Sequence, residues 1–204
     1  TVKAAPQWYA ENFQEEFHCA WARRIPSNSH ADGPKWICDP HRLQEQKDCL
    51  VYSVGSNGDV EFEQGIRDEI GEHCEIHTFD VVSSRDGKNF KPIVESVGAT
   101  FHRWGIGSQA EADAYAQTRQ GPPLRTLDQT ISMLNHTGRV IDIFKIDCES
   151  CEWVVYPQFL ETTSMLRQIL VETHFATMPR AKQFFTQLHD AGYVIFSKEP
   201  NYFT

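Results

Sequence analysis

Four short stretches of this chain carry side chains whose types and spacing suit chemistry. In "FKIDCESCEW", Asp147 follows the run Phe144-Lys145-Ile146, and Glu149 and Glu152 come within five residues of it. Three acids directly after a buried strand are costly unless they are solvated, paired or bound to something. A carboxylate there can act as a general base or hold a substrate hydroxyl. Asp147 and Glu149 are read as functional. Glu152 is read as a residue of a helix's first turn, where negative charge is favoured. In "ILVETHF", Glu172 and His174 stand two apart, so on an extended strand they point the same way. If they converge on Asp147, they form a base with its orienter, or a divalent metal site. The competing reading of His174 is a strand-end histidine bonded to a backbone carbonyl.

The other two stretches suit a nucleotide. In "SVGSNGD", Gly55 lets the chain turn tightly, and Gly58 leads into a helix whose first amides can face a polar group. The spacing is Gly-x-x-Gly, and the third glycine of a dinucleotide fingerprint is missing. Asp80 ends "IHTFD", 25 residues after Gly55, where a carboxylate can accept hydrogen bonds from ribose hydroxyls. Each feature predicts the place of the other, so a nucleoside site is expected. A nicotinamide-dependent oxidoreductase is disfavoured by the missing glycine and by the acid cluster.

These stretches need a scaffold that brings strand ends together. Apolar runs predict strands at 50–54, 75–79, 99–104, 142–146, 168–172 and 193–198. Helices are predicted at about 60–70, 90–97, 126–138 (with Thr126 as N-cap), 152–160 and 179–191. Strands alternating with helices imply a mostly parallel sheet covered on both faces. Ligands then bind beyond the carboxyl ends of the strands. The segment 105–125 reads as a polar excursion over the surface. Trp8, Phe13, Phe17, Ala20 and Trp21 recur at helical spacing and Pro26 ends the run, so residues 1–25 read as helical. The whole of 1–204 is expected to be one domain, a helical extension over 1–48 followed by the α/β core over 49–204.

Composition narrows the partners. The formal net charge is −9 and the basic pairs (Arg23-Arg24, Lys88/Lys91) are sparse, so nucleic acid is not expected as a partner. No stretch approaches ~20 continuous apolar residues, so no membrane span is expected. The opening "TVKAAPQWYAENF" lacks the basic and apolar regions of a signal peptide. The cysteines are Cys19, Cys38, Cys49, Cys74, Cys148 and Cys151, an even count that permits disulfides. Cys148-x-x-Cys151 has no second ligand pair at the spacing a structural zinc usually needs. It is left open between buried thiols, a disulfide, and a metal or redox role.

Taken in order, "TLDQTI", "IDIFKIDCESCEW", "ILVETHF" and "AGYVIFSKEPN" resemble the FkbM-type methyltransferases. "KWICDPHRLQEQKDCLVYSVGSNGDVEFE" is similar to their eukaryotic methyltransferase-like branch, and the resemblance covers about residues 35–200. It implies an α/β, Rossmann-like class I fold that binds S-adenosyl-L-methionine. The methionine end would lie along Ser53, Val54, Gly55, Asn57 and Gly58, and Asp80 would take the ribose. Adenine would lie near Val81 and the 104–106 strand end, including Gly105, with Asp147 facing the transferred methyl group. The implied activity is O-methylation of a hydroxyl on a glycan or small polar acceptor, with Asp147, Glu149 and His174 as catalytic residues. A metal-assisted version would draw on Asp147, Glu149, Glu172 and His174. A binding module without catalysis is the alternative.

Ser150 stands where the family commonly has glycine, and little effect is expected from so small a residue. A seventh strand after 193–198 is not visible, and the expectation is either that the sequence is cut short before it or that it comes from elsewhere, such as the N-terminus or a partner chain. The resemblance also implies a secretory-pathway lumen or a secreted protein, with a cytoplasmic home if the thiols are free. Cys38 and Cys49 are the pair expected to bond.

Overall fold

The apolar runs around Val51 and Ile143 form the two central strands. The computed structural model describes residues 8, 11–29, 33–81, 89–174 and 176–199. In chain order its first elements are β1 (Arg23–Ile25), β2 (Lys35–Ile37), α1 (Pro40–Glu45), β3 (Cys49–Val54), α2 (Glu61–Glu69), β4 (Cys74–Phe79), α3 (Lys91–Ser96) and β5 (Thr100–His102). There follow β6 (Gly105–Ile106), α4 (Gln109–Thr118), β7 (Leu124–Arg125), α5 (Leu127–Met133) and β8 (Ile141–Ile146). The last are α6 (Glu152–Val155), α7 (Pro157–Glu161), β9 (Leu166–Val171) and α8 (Met178–Asp190).

Five strands make one sheet in the order β5-β4-β3-β8-β9, every neighbouring pair parallel. The chain leaves β3 towards β4 on one side and returns to β8 on the other, so the order reverses between β3 and β8. That reversal opens the crevice in which open α/β sheets hold ligands. This is the Rossmann-like fold of class I methyltransferases. Every residue of β3 and β8 is buried, as a sheet covered on both faces requires. Leu50, Tyr52, Val54, Phe144 and Ile146 face one core with α5 to α8. Cys49, Val51 and Ile143 face the other, with β1, β2, α2 and α3.

The N-terminal extension differs from the helical expectation. Among the described residues, 12–22 hold no helix, and β1 pairs antiparallel with β2 through Arg24 and Trp36. Phe17 and Trp21 are 50% and 69% exposed, so the aromatic spacing marks no buried face. Phe13 takes φ +57°, which interrupts a helix. A Cys19–Cys38 disulfide draws the segment to β2 instead.

The segment 105–125 is also more ordered than a surface excursion. β6 and β7 pair around α4, whose start is fixed by a capping box between Ser108 and Glu111. The predicted 152–160 helix is two short ones, with Pro157 opening the second. Residues 193–198 form no strand. The carbonyl of Ile195 accepts from the amides of Glu16 and Phe17, and the amides of Ile195 and Lys198 donate to the Glu16 and Glu15 carboxylates. Side-chain oxygens thus take donors that a sheet edge would have used.

All six cysteines are paired, as Cys19–Cys38, Cys49–Cys74 and Cys148–Cys151. The expected Cys38–Cys49 bond is not formed. Cys49 stands opposite Cys74 in the β3–β4 register, 4.4 Å apart at Cα, within bonding reach.

Candidate functional site

The ends of β3, β4 and β8 are laced together by backbone hydrogen bonds. The Gly55 amide donates to Phe79 and the Asp147 amide to Val54, each at 2.9 Å. Gly55 has φ +78°, and a Cβ there would sit 1.6 Å from the Asp147 carbonyl oxygen. No side chain fits, so the turn after β3 must start with glycine. Asn57 and Gly58 continue the turn at φ +49° and +80°.

Asp80 closes this turn. Its Oδ2 accepts from the amides of Ser56 (3.0 Å) and Asn57 (2.7 Å) and lies 3.4 Å from the Ser56 hydroxyl. Asp80 thus caps the amides of the turn that starts 25 residues before it. Val81 follows and is 37% exposed although apolar. Gly105 is buried against it, and a Cβ there would meet Val81 Cγ1 at 3.1 Å.

Beneath the turn lies a polar layer of which only Ser53 was expected from the sequence. Ser53, Thr78 and Lys145 are register neighbours on β3, β4 and β8. All three are buried, as is Glu63 of α2, to which the Thr78 hydroxyl donates. Lys145 Nζ donates to the Gly55 carbonyl at 2.8 Å and lies 4.0 Å from Asp147 Oδ2. Burial pulls the Lys145 pKa down, while the Glu63 and Asp147 carboxylates oppose that shift. Burial raises the Asp147 pKa; Lys145 counters this and the Glu172 charge adds to it. A lysine following the apolar pair Ile143-Phe144 inside the strand was the available signal.

His174 is held from one side and presented on the other. Glu152 Oε1 accepts from the His174 amide at 2.7 Å and lies 3.1 Å from Nδ1. A carboxylate only accepts, so Nδ1 carries the proton and Nε2 is left as an acceptor. Nε2 lies 3.6 Å from Glu149 Oε2 and 3.9 Å from Asp147 Oδ1. Trp153 Nε1 donates to the His174 carbonyl and fixes the segment further. Glu152 does stand in the first turn of α6, as expected, but it is fully buried there and serves His174.

Asp147, Glu149 and His174 each offer one ligand atom, all within 4.8 Å of one another. Glu172 stands apart from this set, paired with Lys35 at 2.9 Å. β9 ends at Val171, so the alternation that would aim Glu172 and His174 together does not extend to them. The loop between Asp147 and Glu152 is closed by the Cys148–Cys151 disulfide. Within it Glu149 and Ser150 take φ +55° and +88°. Ser150 therefore adopts a conformation that favours glycine, at a cost of order 1–3 kcal/mol, so its difference from the family pattern is not neutral. The arrangement can take a proton at Nε2, hold a hydroxyl on Asp147, or ligate a cation.

The family model described as "Methyltransferase domain" matches residues 1–204. The chain is similar to "Probable methyltransferase-like protein 24" of Homo sapiens, at 29% identity over 139 residues, covering 66% of this chain. The match takes in 34% of that relative, so the chain spans about a third of its length. No solved structure matches.

Proposed function

Because the chain belongs to the Methyltransferase domain family, we propose that it transfers a methyl group from S-adenosyl-L-methionine to a hydroxyl of a glycan or small polar acceptor, on the FkbM-type pattern. The observation that carries this reading is His174 Nε2 beside Asp147 at the end of β8, next to the glycine turn at the sheet's reversal point. The cofactor suits the residues present. Val81, apolar and exposed, directly follows the acceptor carboxylate of Asp80. A flat apolar base and a hydroxyl-bearing sugar thus have complementary groups side by side.

When bound, S-adenosyl-L-methionine supplies a methyl group on a sulfonium, displaced in line by the acceptor oxygen. Gly55, Asn57 and Gly58 would line its methionine end, Asp80 its ribose, and Val81 and Gly105 its adenine; Ser53, expected at the methionine end, is fully buried on β3 and lies beneath that site. Asp147 and Glu149 hold the acceptor hydroxyl. His174 Nε2 takes the hydroxyl proton, and the buried Glu152 carboxylate stabilises the resulting imidazolium.

Calorimetric titration of the folded chain with S-adenosylhomocysteine is expected to show one site. No binding would overturn the reading, and binding without turnover on any acceptor would favour a non-catalytic module. Asp80→Ala is expected to weaken that binding.

The convergence of Asp147, Glu149 and His174 within 4.8 Å supports a second reading, in which a divalent cation lowers the acceptor's pKa. Exhaustive chelation that leaves turnover unchanged would rule it out. The three disulfides suit an oxidising compartment, the secretory lumen or the exterior. Among the described residues no helix is long and apolar enough to cross a membrane.

A further inference from the structure

Away from the strand ends that carry Asp147, a second group of ligand-type side chains meets near the start of β4. Glu75 and His77 project from β4, and His136 follows α5. His77 Nε2 lies 2.9 Å and His136 Nε2 3.1 Å from the same oxygen, Glu75 Oε1. Glu75 stands five residues before Asp80, about 16 Å along the strand at ~3.3 Å per residue.

We propose that Glu75, His77 and His136 hold a divalent cation of the zinc class, with water in the fourth position. Two imidazole nitrogens and one carboxylate oxygen are a ligand set that zinc takes. A tetrahedral zinc with bonds of about 2.0–2.1 Å puts its ligand atoms about 3.3 Å apart. The two distances to Glu75 Oε1, 2.9 and 3.1 Å, need to lengthen by only a few tenths of an ångström, and all three ligand atoms lie within 4.8 Å of one another.

The surrounding groups are those that such a site requires. Ligating histidines have their other ring nitrogen fixed by a partner. His136 Nδ1 lies 2.8 Å from Tyr52 Oη, and His77 Nδ1 2.8 Å from His102 Nε2. Without an ion each Nε2 donates to Glu75 Oε1; because both Nδ1 partners can also accept, each ring can move its proton to Nδ1 and turn a bare Nε2 to the ion. Arg139 donates to the second oxygen of Glu75 at 2.7 Å and fixes that carboxylate too. The His77 and His136 side chains are 8% and 4% exposed, whereas Glu75 is 43% exposed. The ligands are thus rigidly buried on two sides and open to solvent on the third, which provides an entry path.

The site lies far from the methyl-transfer groups and ties β4 to the α5–β8 connection, so the cation is expected to add to stability, whatever its open fourth position admits. Cobalt(II) titration of the disulfide-intact chain tests it. One equivalent is expected to give the intense visible absorption of a tetrahedral N/O site and to be displaced by zinc. Glu75→Ala alters a partly exposed side chain, and its fold is checked by circular dichroism. It is expected to abolish the spectrum and the rise in Tm that zinc gives the wild type. Tyr52→Phe is expected to weaken cobalt binding by about 10-fold or more. His174→Ala is expected to leave the spectrum unchanged. No tetrahedral spectrum in the wild type, one that survives Glu75→Ala, or one that disappears in His174→Ala overturns the proposal.

Discussion

His174 derives its position from a residue that never needs to touch a substrate. Glu152 is fully buried, and one of its oxygens serves both the backbone and the ring of His174. His174→Ala is expected to lower kcat by about 10²–10⁴-fold. Glu152→Gln keeps the shape but removes the charge that stabilises the imidazolium. It is expected to lower kcat while leaving KM and S-adenosylhomocysteine affinity near wild type, a split that a merely structural role would not give. Steady-state kinetics beside calorimetry checks both variants. Asp147 and His174 were legible because acids and a histidine after apolar runs stand out. Glu152 was not, because an acid in a helix's first turn usually needs no other explanation, and only the three-dimensional path brings His174 back onto it. Lys145 was hidden because it shares its face of β8 with the apolar Ile143. The expected place of Glu172 failed because it assumed that β9 ran on to His174.

At the scale of elements, the glycine turn is the part that geometry constrains most tightly. A methyl group at Gly55 would overlap the Asp147 carbonyl, backbone against backbone, at a positive φ. Gly138 also has a positive φ, +77°, but a Cβ there meets nothing within 4 Å. The two positions separate overlap from conformation. Gly138→Ala is expected to cost about 1–2 kcal/mol, the left-handed penalty alone. Gly55→Ala is expected to exceed about 4 kcal/mol or to prevent folding. Denaturant melts of both variants measure the difference, and equal costs would mean that β3 and β8 do not approach as described. The core strands were legible to within a residue or two, because burial on both faces leaves continuous apolar runs. The N-terminal segment was misread because aromatic spacing alone does not say which face is buried. Its fold is decided by β1–β2 pairing and a disulfide, neither of which leaves a periodic signal.

At the scale of the whole molecule, three disulfides act at three different places. Their pairing was not legible, since six cysteines permit many connectivities and the β3–β4 register that joins Cys49 to Cys74 appears only in the sheet. Alkylation without reduction is expected to modify no cysteine, and after reduction all six. The bonds also differ in what they constrain. Cys19–Cys38 spans a separation of 19 residues, and Cys148–Cys151 one of 3. Loop-closure entropy gives about 3 kcal/mol for the first and about 2 kcal/mol for the second. The double serine variant of Cys19 and Cys38 is expected to lower Tm by about 6–12 °C with kcat unchanged at 25 °C, because no catalytic group lies on that loop. The double serine variant of Cys148 and Cys151 is expected to lose less Tm but to lower kcat. Its loop carries Glu149 and Ser150 in left-handed conformations between Asp147 and Glu152, and Asp147, Glu149 and Glu152 all lie against His174. Paired melts and assays of the two variants decide it. If kcat falls only with Cys19 and Cys38 removed, the short disulfide is not what holds the acceptor side of the site.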